Sequence, residues 1–350
     1  MFKFRIERAP APMWTKPLIP IVAILVTFLI TSILIILAKA NPLQAYYHFL
    51  ITPLSSTFSA LEVLVKATPL ILTGIAVTFA FTSGYFNIGA EGQLAAGAIA
   101  ATWVGITFGN LSPIIAIPLM IIGGFVAGMA WALIPAILKV KLKVDEVVTT
   151  LLMNSIIVYF ISWLLNGPWR DPISNWPQSP DIGSSAIFFR LIPKSRLHIG
   201  FIIALIVVVI VYFLIKKTPL GLRMRASGAS KTGAEFAGIN VSKTIFIAAL
   251  VSGGIAGLAG VSEVAGIHYH LIDSISNELG YTGIIVATLG GLHPIGVAIS
   301  ALFIGLIDTG SQTVSRMLGV PVYLGNVVQS ALLLVTLGML LFQNYRIKRL

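Results

Sequence analysis

The sequence predicts an all-α, polytopic membrane protein of about ten transmembrane helices. Three observations carry that expectation. Of 350 residues, 57% are hydrophobic and 10% charged, with a mean hydropathy of +0.96. Apolar blocks of near-span length recur from end to end, and the cations gather between alternate blocks. A hydrocarbon core about 30 Å thick takes about 20 apolar residues to cross as a helix, so the chain has room for roughly ten crossings and none for a separate soluble catalytic domain. The absence of cysteine excludes disulfides, thiol nucleophiles and cysteine-ligated metals.

Taken in order, the first element is an N-terminal segment, 1–17, bearing Lys3, Arg5, Arg8 and Lys16 and expected in the cytoplasm. The block from Leu18 to Ala38 is too long for the apolar region of a cleaved signal, although "AKA" at 38–40 imitates a cleavage site, so it reads as an uncleaved first span. Further spans are expected near 60–81, 90–108, 113–138, 145–165, 199–215, 243–266, 278–289, 295–310 and 325–342, defining a membrane domain over 18–342. The eighth and ninth are short and separated by "GGLHPIG" (290–296), which leaves a re-entrant pair open in place of two crossings. Either way the termini share a side, and the tail 343–350 is expected in the cytoplasm.

Charge supports this topology. Sixteen Lys and Arg fall in the segments expected inside and six in those expected outside, the distribution of a membrane protein with cytoplasmic ends. The net charge of +11 is thereby explained without nucleic acid. The outer loop, 166–198, carries Trp169, Trp176, Phe188 and Phe189 among prolines and is expected to lie at the outer interface.

An ion-driven transporter holds its coupling ion on ionisable groups near the midplane. Here Glu62, Glu263 and Asp308 are expected near outer ends and Glu91 at the inner end of the third span, with Lys66 pairing to Glu62 four residues earlier. No GxxxxGK[ST] phosphate loop is present, so the chain is not itself a nucleotide hydrolase, and no catalytic residue is assigned. Gly253 and Gly257 in "GGIAGLAG" read as a close helix contact. His268 and His270 lack a third ligand, so no metal site is assigned.

Three polar stretches stand out. "GYFNIGAEGQ" (84–93) separates the second and third spans at the expected cytoplasmic end; Asn87 would cap the new helix and Glu91 would meet the positive end of its dipole. A capped glycine turn explains these residues; alternatively Asn87, Glu91 and Gln93 form a gate at the inner mouth. "DEVVTTLLMN" (145–154) opens the fifth span with Asp145 and Glu146, and its Thr149, Thr150 and Asn154 make a neutral polar stripe suited to an uncharged hydroxylated solute, or to interhelical hydrogen bonds. The inner loop, 216–243, contains a capping box from Thr232 to Glu235, with Gly238 placed to end the helix and small residues Gly233, Ala234 and Ala237 that let a partner approach.

In this order, "PLILTGIAVTFAFTSGYFNIGAEGQLAAGA", "DEVVTTLLMN", "GLRMRASGASKTGAEFAGINV" and "GIIVATLGGLHPIGVAISALFIGLI" resemble the permease subunits of bacterial ABC importers for nucleosides and simple sugars, in the broad group that also holds branched-chain amino acid permeases. The resemblance runs from about residue 60 onward, and "FNIGAEGQ" looks more like the nucleoside-type branch than the ribose-type one. It implies a ten-helix fold like the type II importer permeases, in a bacterial or archaeal cytoplasmic (inner) membrane. It also implies partners: a second permease, more often a paralogue than a copy; an ATPase subunit that carries the ATP and Mg while this chain holds no cofactor; an outer substrate-binding lipoprotein; and membrane lipid. The inner loop resembles the coupling helix, which assigns Ser230, Thr232, Glu235, Phe236, Ala237 and Gly238 to the ATPase contact. Many relatives carry Asn-Pro-Glu where this chain has "SKTGAEF" (230–236), which leaves the start of that helix open. The implied function is uptake of a nucleoside or related polar ring compound, with a ribose-like sugar as the nearest alternative and an ion-coupled transporter as a more distant one.

Overall fold

The computed structural model describes residues 4–8 and 18–349. Lys3 and Lys16 of the N-terminal segment therefore lie outside the described residues, as does Leu350 of the tail. Strand β1 (Phe4–Arg8) is followed by α1 (Leu18–Leu37), α2 (Pro42–Leu50), α3 (Thr57–Thr82), α4 (Ala90–Phe108), α5 (Pro113–Leu142) and α6 (Glu146–Asn166). After the outer loop come α7 (Gly200–Lys217), α8 (Pro219–Ala229), α9 (Lys231–Phe236), α10 (Val241–Glu263), α11 (Leu279–Leu289), α12 (Pro294–Leu318) and α13 (Leu324–Asn344), with β2 (Tyr345–Arg349) at the end.

A helix lies at each of the ten expected spans, and six to seven of the crossings are supported by length and apolarity. Among the described residues six helices are long and apolar enough to cross: α3, α5, α6, α7, α12 and α10 with the π-helical turn Val264–His268 that extends it. The pair Ile21–Leu37 and Pro42–Leu54, bent by 120°, makes a seventh if counted as one span. Glu91 and Gln93 in its first turn make α4 less apolar, and α11, at 11 residues, extends only about 16 Å. Helix α2 has no counterpart among the expected spans; Asn41 caps it by accepting from Leu43 N–H at 2.9 Å, and Pro42 occupies its first position. The fold is α-helical apart from β1 and β2, which pair antiparallel from Phe4–Arg349 to Arg8–Tyr345 and bring the two ends of the chain together.

Central to the bundle is α3, buried from Ala67 through Ala80 on every face. Around it α4, α5 and α10 approach at glycine. A Cβ on Gly253 would stand 2.6 Å from the carbonyl oxygen of Gly128 on α5, and one on Gly97 or Gly257 would likewise strike facing backbone. The Gly253-xxx-Gly257 spacing thus serves the close contact expected of it.

The outer loop is not a free interfacial strip. Ser179 N–H donates to Leu271 O at 3.0 Å, Ile182 N–H to Tyr269 O at 2.8 Å and Phe188 N–H to Ala265 O at 2.9 Å, strapping the loop along the segment that follows α10. Phe188 is buried, whereas Trp176 and Phe189 are exposed. His198 is buried beside Phe188, and its Nδ1 accepts from Gly200 N–H at 3.1 Å. Burial pushes its pKa down to about 4.

Candidate functional site

Two features on opposite sides of α11's first turn make up the site: a polar cavity and a buried layer of polar side chains beneath it. The cavity has a volume of about 780 Å³ and opens among α3, α11, α12, α13 and the end of α10. Arg196 of the outer loop lines it, which puts it on that side of the bundle. Its size lies in the range of small-molecule pockets. A smaller groove of about 430 Å³, lined mainly by leucines of α3 and α12, offers little to hold a polar solute.

Ionisable groups in the cavity are paired across elements. Lys66 of α3 bonds Asp308 of α12, and Glu62 of α3 is gripped by Arg196, whose Nε and Nη2 lie 3.1 and 2.5 Å from its two oxygens. The expected Glu62–Lys66 pair is therefore replaced by two partners from other elements: an i to i+4 pair on one helix is worth only a few tenths of a kcal/mol, and a charge among packed helices is costly unless an opposite charge on the facing element meets it. The bond to Glu62 also holds the Arg196 guanidinium above its ordinary pKa range. His268 Nε2 stands 3.6 Å from Glu263 Oε2, and His270 Nδ1 stands 3.1 Å from Asp181 Oδ1. The two histidines thus address different carboxylates, and among the described residues no group of three His, Asp or Glu is arranged to hold a metal.

Beneath the cavity lies the layer built by "GYFNIGAEGQ". After α3 ends, Gly84 at φ 78° reverses the chain and returns it into the bundle, so α4 starts well inside. Asn87 Nδ2 donates to Gln93 Oε1 at 2.8 Å and to Ser252 Oγ at 2.9 Å, and Ser252 donates to Ala76 O at 2.7 Å. Ser252 is the midpoint of α10, so Asn87 and Gln93 sit mid-bundle, deeper than the end of the spans the sequence suggested, while Gly84 and Tyr85 lie against α8 and α9. Asn87 does not cap α4; Gly89 holds the cap position, and Asn87 Oδ1 instead accepts from Gly89 N–H at 2.9 Å.

Glu91 is likewise buried, not interfacial. Its Oε1 accepts from Glu278 N–H at 3.0 Å and its Oε2 from Gly280 N–H at 2.7 Å, so a carboxylate from α4 caps the half-helix α11. The backbone amides and the positive end of the helix dipole make this burial tolerable. Asn154 Oδ1 accepts from Gly92 N–H at 2.9 Å, while its Nδ2 donates to Ile88 O and to the Tyr281 hydroxyl, each at 3.0 Å. Thr149 and Thr150 are buried and donate to carbonyls one turn back, Asp145 O and Glu146 O. None of these four lines the cavity; Asn154 reaches it through Tyr281 and Glu91 through Glu278. Asp145 caps α6 as expected, accepting from Val147 N–H at 2.8 Å.

The loop expected inside, 216–243, holds α8 and α9. Ser230, not Thr232, caps α9: its Oγ accepts from Gly233 N–H at 3.1 Å, because Ser230 has the extended backbone a cap requires and Thr232 lies within the helix. Gly238 ends it at φ 78°, with open space around its α-carbon. Ala234 is buried with Tyr85, Val241 and Ile245, while Thr232, Glu235, Ala237 and Gly238 are exposed and Phe236 is 97% exposed. The same short helix thus touches the Ser83–Ile88 segment on one face and presents an unpartnered aromatic on the other.

The cavity-lining residues of α11–α13, above all Glu278 and Tyr281, were missed in sequence. Their signal was the shortness of the 278–289 block with the polar, glycine-bearing "SNELGYTG" (276–283) at its start, the mark of a helix that begins inside a bundle.

Membrane-length helices around a polar cavity, with a half-helix capped at its floor, define a polytopic membrane permease. The chain belongs to the family described as branched-chain amino acid transport system / permease component, which matches residues 59–337. It is 34% identical to the nucleoside ABC transporter permease protein NupB of Lactococcus lactis, covering 91% of this chain and 90% of that one. It is 33% identical to the guanosine ABC transporter permease protein NupP of Bacillus subtilis over 91% and 92% of the two chains. To the glucose ABC transporter permease protein TsgB13 of Haloferax volcanii it is 32% identical over 97% and 92%.

Proposed function

We propose that this chain is a permease subunit of an ATP-driven ABC importer for nucleosides or related polar ring compounds. The observation that carries this is the 780 Å³ polar cavity closed below by the Asn87–Gln93–Ser252 and Glu91–α11 bonds. A solute entering from the outer side rests there, and the layer formed by Asn87, Glu91, Gln93, Thr149, Thr150 and Asn154 is the inner gate. The 34% and 33% identities to nucleoside and guanosine permeases support the solute class. A simple sugar is the second reading, favoured by the 32% identity to a glucose permease over nearly the whole chain.

The chain performs no covalent chemistry; ATP and Mg belong to a partner ATPase. Ser230, Thr232, Glu235, Phe236, Ala237 and Gly238 form the docking element, with Phe236 as its anchor. Movement of α9 reaches the gate because Ala234 packs with Tyr85, two residues from Asn87. A second permease, more often a paralogue, and an outer substrate-binding lipoprotein complete the assembly in the cytoplasmic membrane. Domain limits follow the topology read from charge: cytoplasmic 1–17, 216–243 and 343–350, with the loop 166–198 outside.

The test is reconstitution of this chain with its cognate ATPase, second permease and binding protein. Uptake of tritiated guanosine that requires ATP hydrolysis is the expected result. Accumulation driven by a proton or sodium gradient without the ATPase would overturn the assignment.

A further inference from the structure

Resting on the importer assignment above, we infer that the Glu278 carboxylate is the group by which the cavity holds the vicinal hydroxyls of a ribose or sugar ring. The placement of Glu278 is unusual for an acid at a helix start. Such a residue ordinarily turns its carboxylate onto its own first-turn amides. Here one of those amides is taken: Glu91 from α4 accepts from Gly280 N–H, and its other oxygen accepts from the N–H of Glu278 itself. Glu278 makes no side-chain cap and stands at φ 63°, ψ 12°, with its side chain exposed within the cavity lining.

The other charged groups around the cavity are committed. Lys66 bonds Asp308, Arg196 bonds Glu62, and Glu263 faces His268. Among the described residues Glu278 alone of the lining carboxylates has no ion-pair partner. A carboxylate offers only acceptors, two oxygens at fixed spacing, so the complementary ligand presents two adjacent donors. Neighbouring hydroxyls on a ring do so, and hydrogen bonds to a charged acceptor are the stronger kind. A cation is the other chemistry that would suit the group.

Charge narrows the ligand further. Counting Glu62 through its bond to Arg196, two cations around the cavity meet four carboxylates, a net of −2 with His268 neutral, inside a chain whose total is +11. Such a lining repels phosphate esters and admits neutral hydroxyl donors. Tyr281 lies one turn along α11 from Glu278, and its hydroxyl accepts from Asn154. A ring held at Glu278 therefore rests on the residue pair that joins the floor to the gate.

The test uses the complete importer in proteoliposomes and compares ATP-driven uptake of guanosine with that of 2′-deoxyguanosine, in which the hydroxyl pair is broken. Glu278→Gly removes the carboxylate where the backbone already has a positive φ, so the variant folds without added strain. The expected result is a guanosine preference reduced about tenfold in Glu278→Gly and by less in Glu278→Gln, which keeps one acceptor. Comparing each variant with the wild type cancels the discrimination made by the binding protein. An unchanged preference in Glu278→Gly overturns the inference while leaving the importer assignment standing. Wild-type complex that takes up no nucleoside overturns the nucleoside reading; D-glucose and 2-deoxyglucose then form the test pair, with the same two outcomes. Uptake of neither class overturns both.

Discussion

The Glu91 carboxylate of α4 accepts from the backbone N–H of Gly280 at 2.7 Å, so the first turn of α11 is capped by a side chain 189 positions earlier in the chain. Its second oxygen takes Glu278 N–H. Removing it strands two amides beneath the cavity. Glu91→Ala is expected to destabilise the purified permease by about 2–4 kcal/mol, with Glu91→Gln, which keeps one acceptor, costing about half as much. Thermal unfolding in detergent reads the difference, and equal losses in the two variants would show that the cap is not the source.

Phe236 stands 97% exposed on α9, a helix only six residues long. Aromatic side chains in that position anchor interfaces. Phe236→Ala is expected to weaken binding of the cognate ATPase by about thirtyfold, corresponding to about 2 kcal/mol, without lowering the unfolding temperature of the isolated chain. Pull-down titration and a melting curve on the same preparation separate the two effects.

At Gly238, φ is 78° and no atom approaches the position of an added Cβ. Backbone conformation is thus the sole constraint. Gly238→Asn, which tolerates the left-handed region, should retain most transport, whereas Gly238→Pro, locked near φ −65°, should abolish coupling while solute binding to the outer protein is unaffected. Uptake after Gly238→Pro equal to wild type would move the docking element elsewhere.

His198 has a pKa of about 4 in the folded chain, lowered from 6.5 by burial in the outer loop. The unfolded chain binds the proton first on acidification, so the stability contributed by the neutral ring is complete above pH 6.5 and falls away as pH drops toward 4. Between pH 7 and pH 5 the loss is about 2 kcal/mol. Melting curves should show this acid slope, and it should be absent in His198→Asn.

Lys66 and Asp308 join α3 to α12 beside the cavity. Either half removed alone leaves a charge among membrane helices, whereas removing both does not. Lys66→Met combined with Asp308→Asn is therefore expected to be more stable than either single variant, by about 1–3 kcal/mol. If Lys66 is instead paired with Glu62, the double variant will show no such rescue.

The helices were legible in the sequence because apolar block length and cation placement are local and strong signals. What those signals do not carry is depth. Nothing in "GYFNIGAEGQ" says that Gly84 turns the chain back into the bundle, so Glu91 was placed at a membrane surface when it lies against α11. Partner choice was equally hidden. Glu62 and Lys66 satisfy a helical pairing rule, yet Arg196 and Asp308, 134 and 242 residues distant, take their charges. The short helix of the inner loop was expected to start at Thr232 but is capped two residues earlier, since Ser230 and Thr232 carry the same hydroxyl and only backbone geometry distinguishes them. The cavity escaped notice because its walls come from elements that are far apart in sequence, each with no more than a few polar residues of its own.

The outer strap joins its neighbour through main-chain bonds, from Ser179–Leu271 to Phe188–Ala265, and the segment it grips runs on through Ile272 and Ser274 along the cavity wall. Amide ladders yield far less than side-chain contacts. A push on this loop is thus passed through main-chain bonds to the wall of the cavity.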